Sequence, residues 1–295
     1  LPFGDGPAIG NSIPLFLATF SQAFFNIPHK FCFSNIRKCS LNSINKNLIN
    51  DENLINSFSK HAKSYDRYAQ LQKSMAERMA SLLPIPLPDY VLEIGCGTGL
   101  FTRHLLTQPI RQLILNDIAP GMLEILSNSL SLPENTKIIS GNAERINFEK
   151  MDLICANAVF QWFRKPQETL KKLNQALKDK GILIFSTFGP KTLVEFREAA
   201  NLVSPIDLYK NETWIKMIHY SGFAVKNCDV EIRKIFFPST LTLLKNLQQI
   251  GAAPIRMLKT GGLRKLMRDY DSKFSTSQGV YATWELYYFT LVHGN

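Results

Sequence analysis

Hydrophobic spacing divides this chain into a helical opening, a long alternation of short strands and helices, and a less regular C-terminal part. Phe58, Ala62, Tyr65, Ala69, Gln72, Ala76, Met79 and Leu83 recur at alternating steps of four and three, the spacing of one helix face. A helix is expected from Ser57 to Leu83. Pro84, Pro86 and Pro88 end it, because proline lacks the N–H that a helix needs. Short apolar segments come next at Val91–Ile94, Gln112–Asn116, Lys137–Ser140, Asp152–Ala156 and Ile182–Thr187. Helical stretches such as Met122–Leu130 and Thr169–Leu177 separate them. Alternation of this kind predicts a parallel sheet with helices on both faces. Ala224–Val230 and Leu286–Val292 add two strands, giving a mostly parallel seven-stranded sheet of the α/β class. Between those two, residues 241–271 read as a helical insert, broken at Gly251 and again at Gly261-Gly262.

The run Val91-Leu92-Glu93-Ile94-Gly95-Cys96-Gly97-Thr98-Gly99 sets three glycines directly after a strand, and Leu100–Leu106 reads as a helix. Glycine turns tightly and lets a ligand approach the backbone. A helix start offers free N–H groups. Together they predict a nucleotide pocket. The dinucleotide fingerprint G-x-G-x-x-G needs glycine where Leu100 stands. No Lys-Ser or Lys-Thr comes after the glycines, which excludes a P-loop. Ligands of such sheets bind at the carboxyl ends of the strands. Gly95 to Gly99, Asp117, Asn142-Ala143 and Asn157 are therefore expected on one edge. An ionised Asp117 accepts both hydroxyl hydrogens of a ribose. Asn142 offers its oxygen to an adenine amino group, and Met122 its polarizable side chain to the ring. Asn157 falls toward the far end of the ligand. Each of these has a plainer alternative, as a turn former or a core residue. The helix bearing Tyr65 is read as a lid over the pocket, or else as a core helix with the tyrosine hydroxyl at its rim.

Composition adds partners and setting. The formal net charge is +10. Residues 233–268 hold eight Lys or Arg (233, 234, 245, 256, 259, 264, 265 and 268) and no Asp or Glu. Such a bias fits a docking surface for an anionic partner. No RNA-binding sheet motif or aromatic-interleaved basic run accompanies it, so nucleic acid is not the expected partner. The five cysteines form no C-x-x-C pair, and the five histidines are scattered without metal spacing. No metal and no disulfide framework are expected, and a reducing cytoplasm fits. No run of about 18 apolar residues exists, so no membrane span is expected. Residues 1–45 read apart from the rest. They are rich in Phe, Asn and Ser, and no acid separates Asp5 from Asp51. They are taken as a leader or the remnant of an upstream fused domain, without assigned function. The chain opens on Leu1 rather than Met, so a fragment or processed form is expected.

Several stretches together resemble one family. Glu93-x-Gly95-x-Gly97-x-Gly99 resembles motif I of class I S-adenosylmethionine methyltransferases. Phe58-x-x-x-Ala62-x-x-Tyr65-Asp66-x-x-Ala69-x-x-Gln72 precedes it, and Asn157-Ala158-Val159-Phe160-Gln161-Trp162 comes after the fourth strand. Phe185-Ser186-Thr187-Phe188-Gly189-Pro190-Lys191-Thr192-Leu193-x-Glu195, Leu247-x-x-Ile250-Gly251-Ala252 and Thr283-Trp284-Glu285 complete the set. The set resembles the malonyl-acyl-carrier-protein O-methyltransferases of bacterial biotin synthesis, over roughly residues 50–292. The resemblance implies a Rossmann-like fold and S-adenosylmethionine as methyl donor. Glu93, Gly95, Gly97, Gly99, Asp117, Met122, Asn142, Ala143 and Asn157 would bind that donor. Tyr65, Asn157, Gln161 and Trp162 are the expected catalytic residues. An acidic acyl carrier protein would dock on the basic 233–268 stretch. The acceptor would be the free carboxylate of a malonyl thioester, already ionised at neutral pH, so no general base is required. The chain departs from the family at Asn142, where Asp is usual. Competing readings are a methyltransferase for a small acid such as trans-aconitate or for a quinone precursor, and an S-adenosylmethionine-binding assembly factor. A dehydrogenase is disfavoured by Leu100.

Overall fold

The computed structural model describes residues 50–201, 204–251 and 260–294. The leader expected over residues 1–45, and Arg256 and Lys259 of the basic stretch, lie outside them. The strands are β1 (Tyr90–Ile94), β2 (Gln112–Asp117), β3 (Thr136–Ser140), β4 (Met151–Ala156), β5 (Leu177–Phe188), β6 (Phe223–Phe237), β7 (Ser275–Thr276) and β8 (Gly279–His293). Seven of them form the sheet order β3-β2-β1-β4-β5-β8-β6, and the two-residue β7 pairs with β8. Neighbours from β3 through β5 run parallel. Only β8 is reversed against its neighbours β5 and β6. The order reverses between β1 and β4, where a crevice opens at the carboxyl ends of an open α/β sheet.

The helices are α1 (Asp51–Tyr68), α2 (Gln70–Ala80), α3 (Thr102–Leu105), α4 (Pro120–Ser129), α5 (Pro166–Ala176), α6 (Val194–Ala200), α7 (Asn211–Tyr220), α8 (Thr240–Gln249) and α9 (Thr260–Phe274). Strands β1, β2 and β4 are almost wholly buried, as their near-continuous apolar runs require when helices cover both faces. Alternate strand residues feed two cores. Val91, Leu113, Leu153, Ile184 and Leu286 pack with Met75 and Met79 of α2. Leu92, Ile114, Ile154, Leu183 and Phe289 pack with Leu170 and Leu173 of α5 and Trp214 of α7.

Four expectations are corrected. The helix expected from Ser57 to Leu83 starts earlier, at Asp51, and is two helices. Ala69, at φ −85° and ψ 37°, leaves the helical region between α1 and α2. Both helices bury the same face, so the apolar period runs through the break and hides it. The helix expected over Leu100–Leu106 shrinks to the four residues of α3, because the glycine turn extends into its start. Gly261-Gly262 does not break the C-terminal insert. Both glycines lie in the first turn of α9, whose buried Leu266 and Tyr270 anchor it. The expected break at Gly251 does occur: this residue, at φ 65°, stands just past the end of α8. Finally, β6 and β8 are about twice the expected length. They pair from Phe223↔His293 to Phe237↔Val280, and their outer halves are interrupted by polar residues, Glu231, Arg233 and Lys234 in β6 and Thr283 and Glu285 in β8. Arg233 and Lys234 of the basic stretch are consequently strand residues.

Candidate cofactor and substrate site

The β1 turn is shaped by its glycines. Gly95, Gly97 and Gly99 adopt φ of 66°, 55° and 90°, a region that costs other residues energy. A Cβ on Gly95 would lie 2.3 Å from Val159 Cγ2, and one on Gly99 would lie 2.6 Å from Leu130 Cδ1. A Cβ on Gly97 would meet nothing within 4 Å. Two of the glycines therefore serve packing, and Gly97 faces the open crevice, a cradle that a side chain would fill. Gly97 N–H donates to Asp117 Oδ2 at 2.9 Å, and Ala119 N–H donates to Oδ1 at 2.8 Å. These bonds hold the carboxylate at the end of β2 beside the turn. An ionised carboxylate has about four acceptor sites, so capacity for a ribose diol remains. Burial pushes the Asp117 carboxyl up to about 6, against the N–H groups of Ala119, Gly97 and Ile118.

Glu93 lies beneath the turn, 1% exposed, and accepts the Thr102 hydroxyl at 2.7 Å. Burial pushes it up to about 8, the Thr102 bond opposes that, and the Asp117 charge adds to it. Its contact in the structure fastens α3 to β1. Met122 is buried with Ala62 and Ala119, against Phe58, Tyr65 and Ile118, just past Asp117.

Helix α1 crosses the carboxyl edge and touches the loop after each of the first four strands. Thr98 donates its hydroxyl to Asp66 Oδ1. Ser59 Oγ accepts from Gly121 N–H at 3.3 Å, at the start of α4. Asn142 Nδ2 donates to Asp51 Oδ2 at 3.1 Å, and Arg145 and Arg164 pair with the same carboxylate. Phe58 meets Trp162 edge-on at 5.6 Å and Tyr65 at 6.5 Å between ring centroids. The helix is also tied to the insert. Ser57 Oγ donates to Gly251 O at 3.1 Å, Ser64 Oγ to Gln249 Oε1 at 3.0 Å, and Asn246 Nδ2 to Tyr68 O at 3.2 Å. Gly251 belongs there because a Cβ at that point would crowd Phe58. Burial, then the charges of Asp117 and Asp66, raise the Tyr65 phenol well above its ordinary range. Tyr65 therefore stays protonated.

The β4 loop carries the remaining expected residues. Asn157 Nδ2 donates to Gln72 O at 3.1 Å, and its Oδ1 accepts from Ser186 Oγ at 2.8 Å. Ala158 holds φ at 55°. Gln161 Nε2 bonds its carbonyl at 2.6 Å, and Ala158 N–H donates to Ser186 Oγ at 2.9 Å. The buried Gln161 also accepts from Thr187 Oγ1 at 3.3 Å. Asn157 and Gln161 thus fix the shape of this loop, and Trp162 rests under α1. Asn142 Oδ1 accepts from Glu144 N–H at 2.8 Å, so both ends of that side chain are engaged within the protein. Ala143 is buried in the second core. Sequence reasoning missed Asp51 and Asp66. Asp66 stands next to Tyr65 in the chain, but nothing local shows that it reaches Thr98.

Comparison with known proteins places this geometry. A family model described as "Methyltransferase domain" matches residues 65–255. The malonyl-[acyl-carrier protein] O-methyltransferase 1 of Ilyobacter polytropus is 31% identical over 256 residues, covering 83% of this chain and 95% of that protein. The malonyl-[acyl-carrier protein] O-methyltransferase of Paenibacillus sp. (strain JDR-2) is 29% identical over 253 residues, covering 76% and 92%. The YcgJ protein of Bacillus subtilis shares the fold at a TM-score of 0.58 with 12% identity, covering 75% of this chain and 99% of that one. Sheet order, glycine cradle and acidic strand end define a Rossmann-like class I methyltransferase that uses S-adenosylmethionine. Within the methyltransferase-domain proteins, the chain belongs to the malonyl-[acyl-carrier protein] O-methyltransferase family.

Proposed function

We propose that the protein moves the methyl group of S-adenosylmethionine onto the free carboxylate of malonyl-acyl-carrier protein. The product is the methyl ester that primes pimeloyl synthesis in the biotin pathway. One observation carries the reading: likeness to the named relatives runs over 92% and 95% of their lengths, not over a shared cofactor domain alone. S-adenosylmethionine supplies a methyl group on a positively charged sulfur. The acceptor carboxylate is already ionised at neutral pH, so the chain need not remove a proton. Its residues align and enclose. Gly97 leaves room for the donor, Asp117 holds the ribose hydroxyls, and Met122 packs beside the adenine. Asn157 and Gln161 set the loop at the methionine end. Helix α1, with its own Phe58 and Tyr65 and with Trp162 beneath it, closes the edge and keeps water out. Alignment of two bound reactants is worth on the order of 7–11 kcal/mol at best, which makes closure of α1 the main catalytic act of the protein.

Docking of the carrier protein falls to the C-terminal insert. Acyl carrier proteins are acidic, and Lys245 on α8 and Arg264, Lys265 and Arg268 on α9 are exposed. Arg233 and Lys234 are less available. Arg233 pairs with Glu231 at 2.6 Å, and Lys234 lies 4.4 Å from the Tyr281 ring centre. Among the described residues no helix is long and apolar enough to cross a membrane, and Cys96, Cys155 and Cys228 are free thiols. The thiols suit a cytoplasmic setting. The test is mass spectrometry of malonyl-acyl-carrier protein incubated with the protein and S-adenosylmethionine. One methylene of added mass is expected, with no transfer to free malonate or trans-aconitate. Methylation of a free acid alone would reject the carrier-bound substrate. No transfer to any acceptor would favour an assembly factor.

A further inference from the structure

A cavity of about 150 Å³ lies at the α1–α2 junction, lined by Tyr68, Gln72, Ile235, Asn246, Ile250 and Trp284 among others. Its walls are largely apolar, but the buried polar atoms around it are unusual. Gln72 Oε1 and Trp284 Nε1 have no hydrogen-bond partner, and neither does the Tyr288 hydroxyl, four residues along the same face of β8. The three residues are 8%, 5% and 1% exposed. A buried polar atom without a partner is costly, and a native fold rarely keeps one without a use. Here the orphaned acceptor and the orphaned donor belong to two residues that line one cavity, each atom covered in the empty protein. A secondary amide offers the complement, with an N–H and a carbonyl on opposite sides of an otherwise apolar chain.

The cavity is coupled to the site through Gln72, whose carbonyl accepts from Asn157 at the end of β4. Trp284 is held in place from both sides. Thr283 N–H donates to Glu195 Oε2 at 2.9 Å, and Glu285 N–H donates to Thr192 Oγ1 at 3.1 Å. Leu193 N–H donates to Thr283 O at 2.7 Å. The loop that fastens Trp284 contains Leu193 at φ 54°, a costly conformation for leucine. Backbone cost and reciprocal bonds both go into fixing this wall.

We propose that this cavity receives the amide-bearing arm of the thioester substrate, the two side chains turning toward it so that Gln72 accepts from an amide N–H and Trp284 donates its indole N–H to an amide carbonyl. The proposal rests on the malonyl-thioester reading above. Carrier proteins present acyl groups on a pantetheine arm built of such amides, and the cavity lies beside the loop at the methyl-transfer end of the crevice.

The experiment compares malonyl-pantetheine, which carries the amides, with the ethyl thioester of malonate, which has none. Gln72→Met and Trp284→Phe each remove one polar atom at similar bulk. In each variant the ratio of kcat/KM for the pantetheine to the ethyl thioester should fall about tenfold, the worth of one good hydrogen bond. Equal losses on both substrates would overturn the subsite and mark the two residues as structural. If the parent protein methylates neither thioester, the malonyl-thioester reading fails first and takes the subsite with it. A measurement on the parent protein guards against variants that do not fold. With S-adenosylhomocysteine bound to stop turnover, one of the three tryptophan indole N–H resonances should move on adding malonyl-pantetheine and stay put with the ethyl thioester. Three unmoved resonances would overturn the proposal.

Discussion

Glu195 takes both hydrogen-bond donors of Thr283, the backbone N–H at 2.9 Å and the side-chain hydroxyl. Glu285, two residues on, receives the N–H of Lys191 at 2.7 Å, and its carbonyl accepts from Gly189 N–H at 2.8 Å. Two stretches that look unrelated along the chain thus form one buried clasp between strand β8 and the segment after β5 that runs into α6. Glu195 and Thr283 are 5% and 6% exposed, so neither finds water if the other is removed. Glu195→Ala should destabilise the fold by about 2–3 kcal/mol, the range for bonds to a buried acidic group. A double-mutant cycle with Thr283→Val should return a coupling of roughly 1–3 kcal/mol in urea denaturation. Additive losses would mean that the pair does not act as a unit.

The same clasp shows what kind of information a sequence carries. Strands β1, β2, β4 and the second half of β5 were legible because each is an apolar run within a sheet covered by helices, β3 through Ile138 and Ile139 alone, and the turn was legible because glycine reaches its dihedrals without steric cost. The edge residues Asp117 and Asn157 followed from topology. What could not be read were partners far apart in sequence. Asn142 was read for its oxygen alone, and nothing near it in sequence shows that its amide N–H reaches Asp51, 91 positions earlier. The break at Ala69 was invisible because α1 and α2 bury one continuous face. The added length of β6 and β8 was missed because polar residues, Glu231, Arg233 and Lys234 in one and Thr283 and Glu285 in the other, interrupt their outer halves.

On the proposed ribose contact, Asp117 should make donor binding depend on pH. Its folded value of about 6 lies above the ordinary 3.8. Below about pH 4 it is protonated in both folded and unfolded chains and contributes nothing to the pH dependence of stability. Between about pH 4 and 6 the unfolded chain releases the proton first, so stability of the empty protein falls as pH rises through that window. Ribose hydroxyls need the ionised carboxylate. Affinity for S-adenosylhomocysteine, measured by calorimetry, should therefore fall as pH drops below about 6, by at most tenfold per pH unit. Asp117→Asn should bind weakly and lose this dependence. A wild-type affinity that is flat from about pH 5 to 8 would exclude Asp117 from the contact.

The three glycines of the β1 turn should separate by the kind of damage they cause. Gly97→Ala adds a methyl group to open space at φ 55°, at a conformational cost of roughly 1–2 kcal/mol. Its thermal midpoint should drop modestly while donor binding is lost, because the methyl group enters the cradle. Gly95→Ala drives its Cβ to 2.3 Å from Val159 Cγ2, a stiff β-branched neighbour. That variant should lose Tm far more. The order would be reversed if Gly97 served packing and Gly95 served the ligand.

Charge on the insert should govern the carrier protein and nothing else. Arg264 and Arg268 are exposed and four residues apart on α9, so they share a helix face. Lys265 is a poorer choice because it pairs with Asp269 at 2.5 Å. Surface charge of this kind acts through long-range attraction, which fades beyond about 10 Å at 0.1 M salt. Replacing Arg264 and Arg268 with glutamate should raise KM for malonyl-acyl-carrier protein by on the order of tenfold in low salt. The wild-type KM should climb toward the variant's as salt is added, until the two nearly meet. Malonyl-pantetheine has no acidic protein to attract, so its turnover reports folding and donor binding and should not follow the charge reversal. A variant KM for the carrier substrate equal to wild type at low salt would move the docking surface elsewhere on the protein.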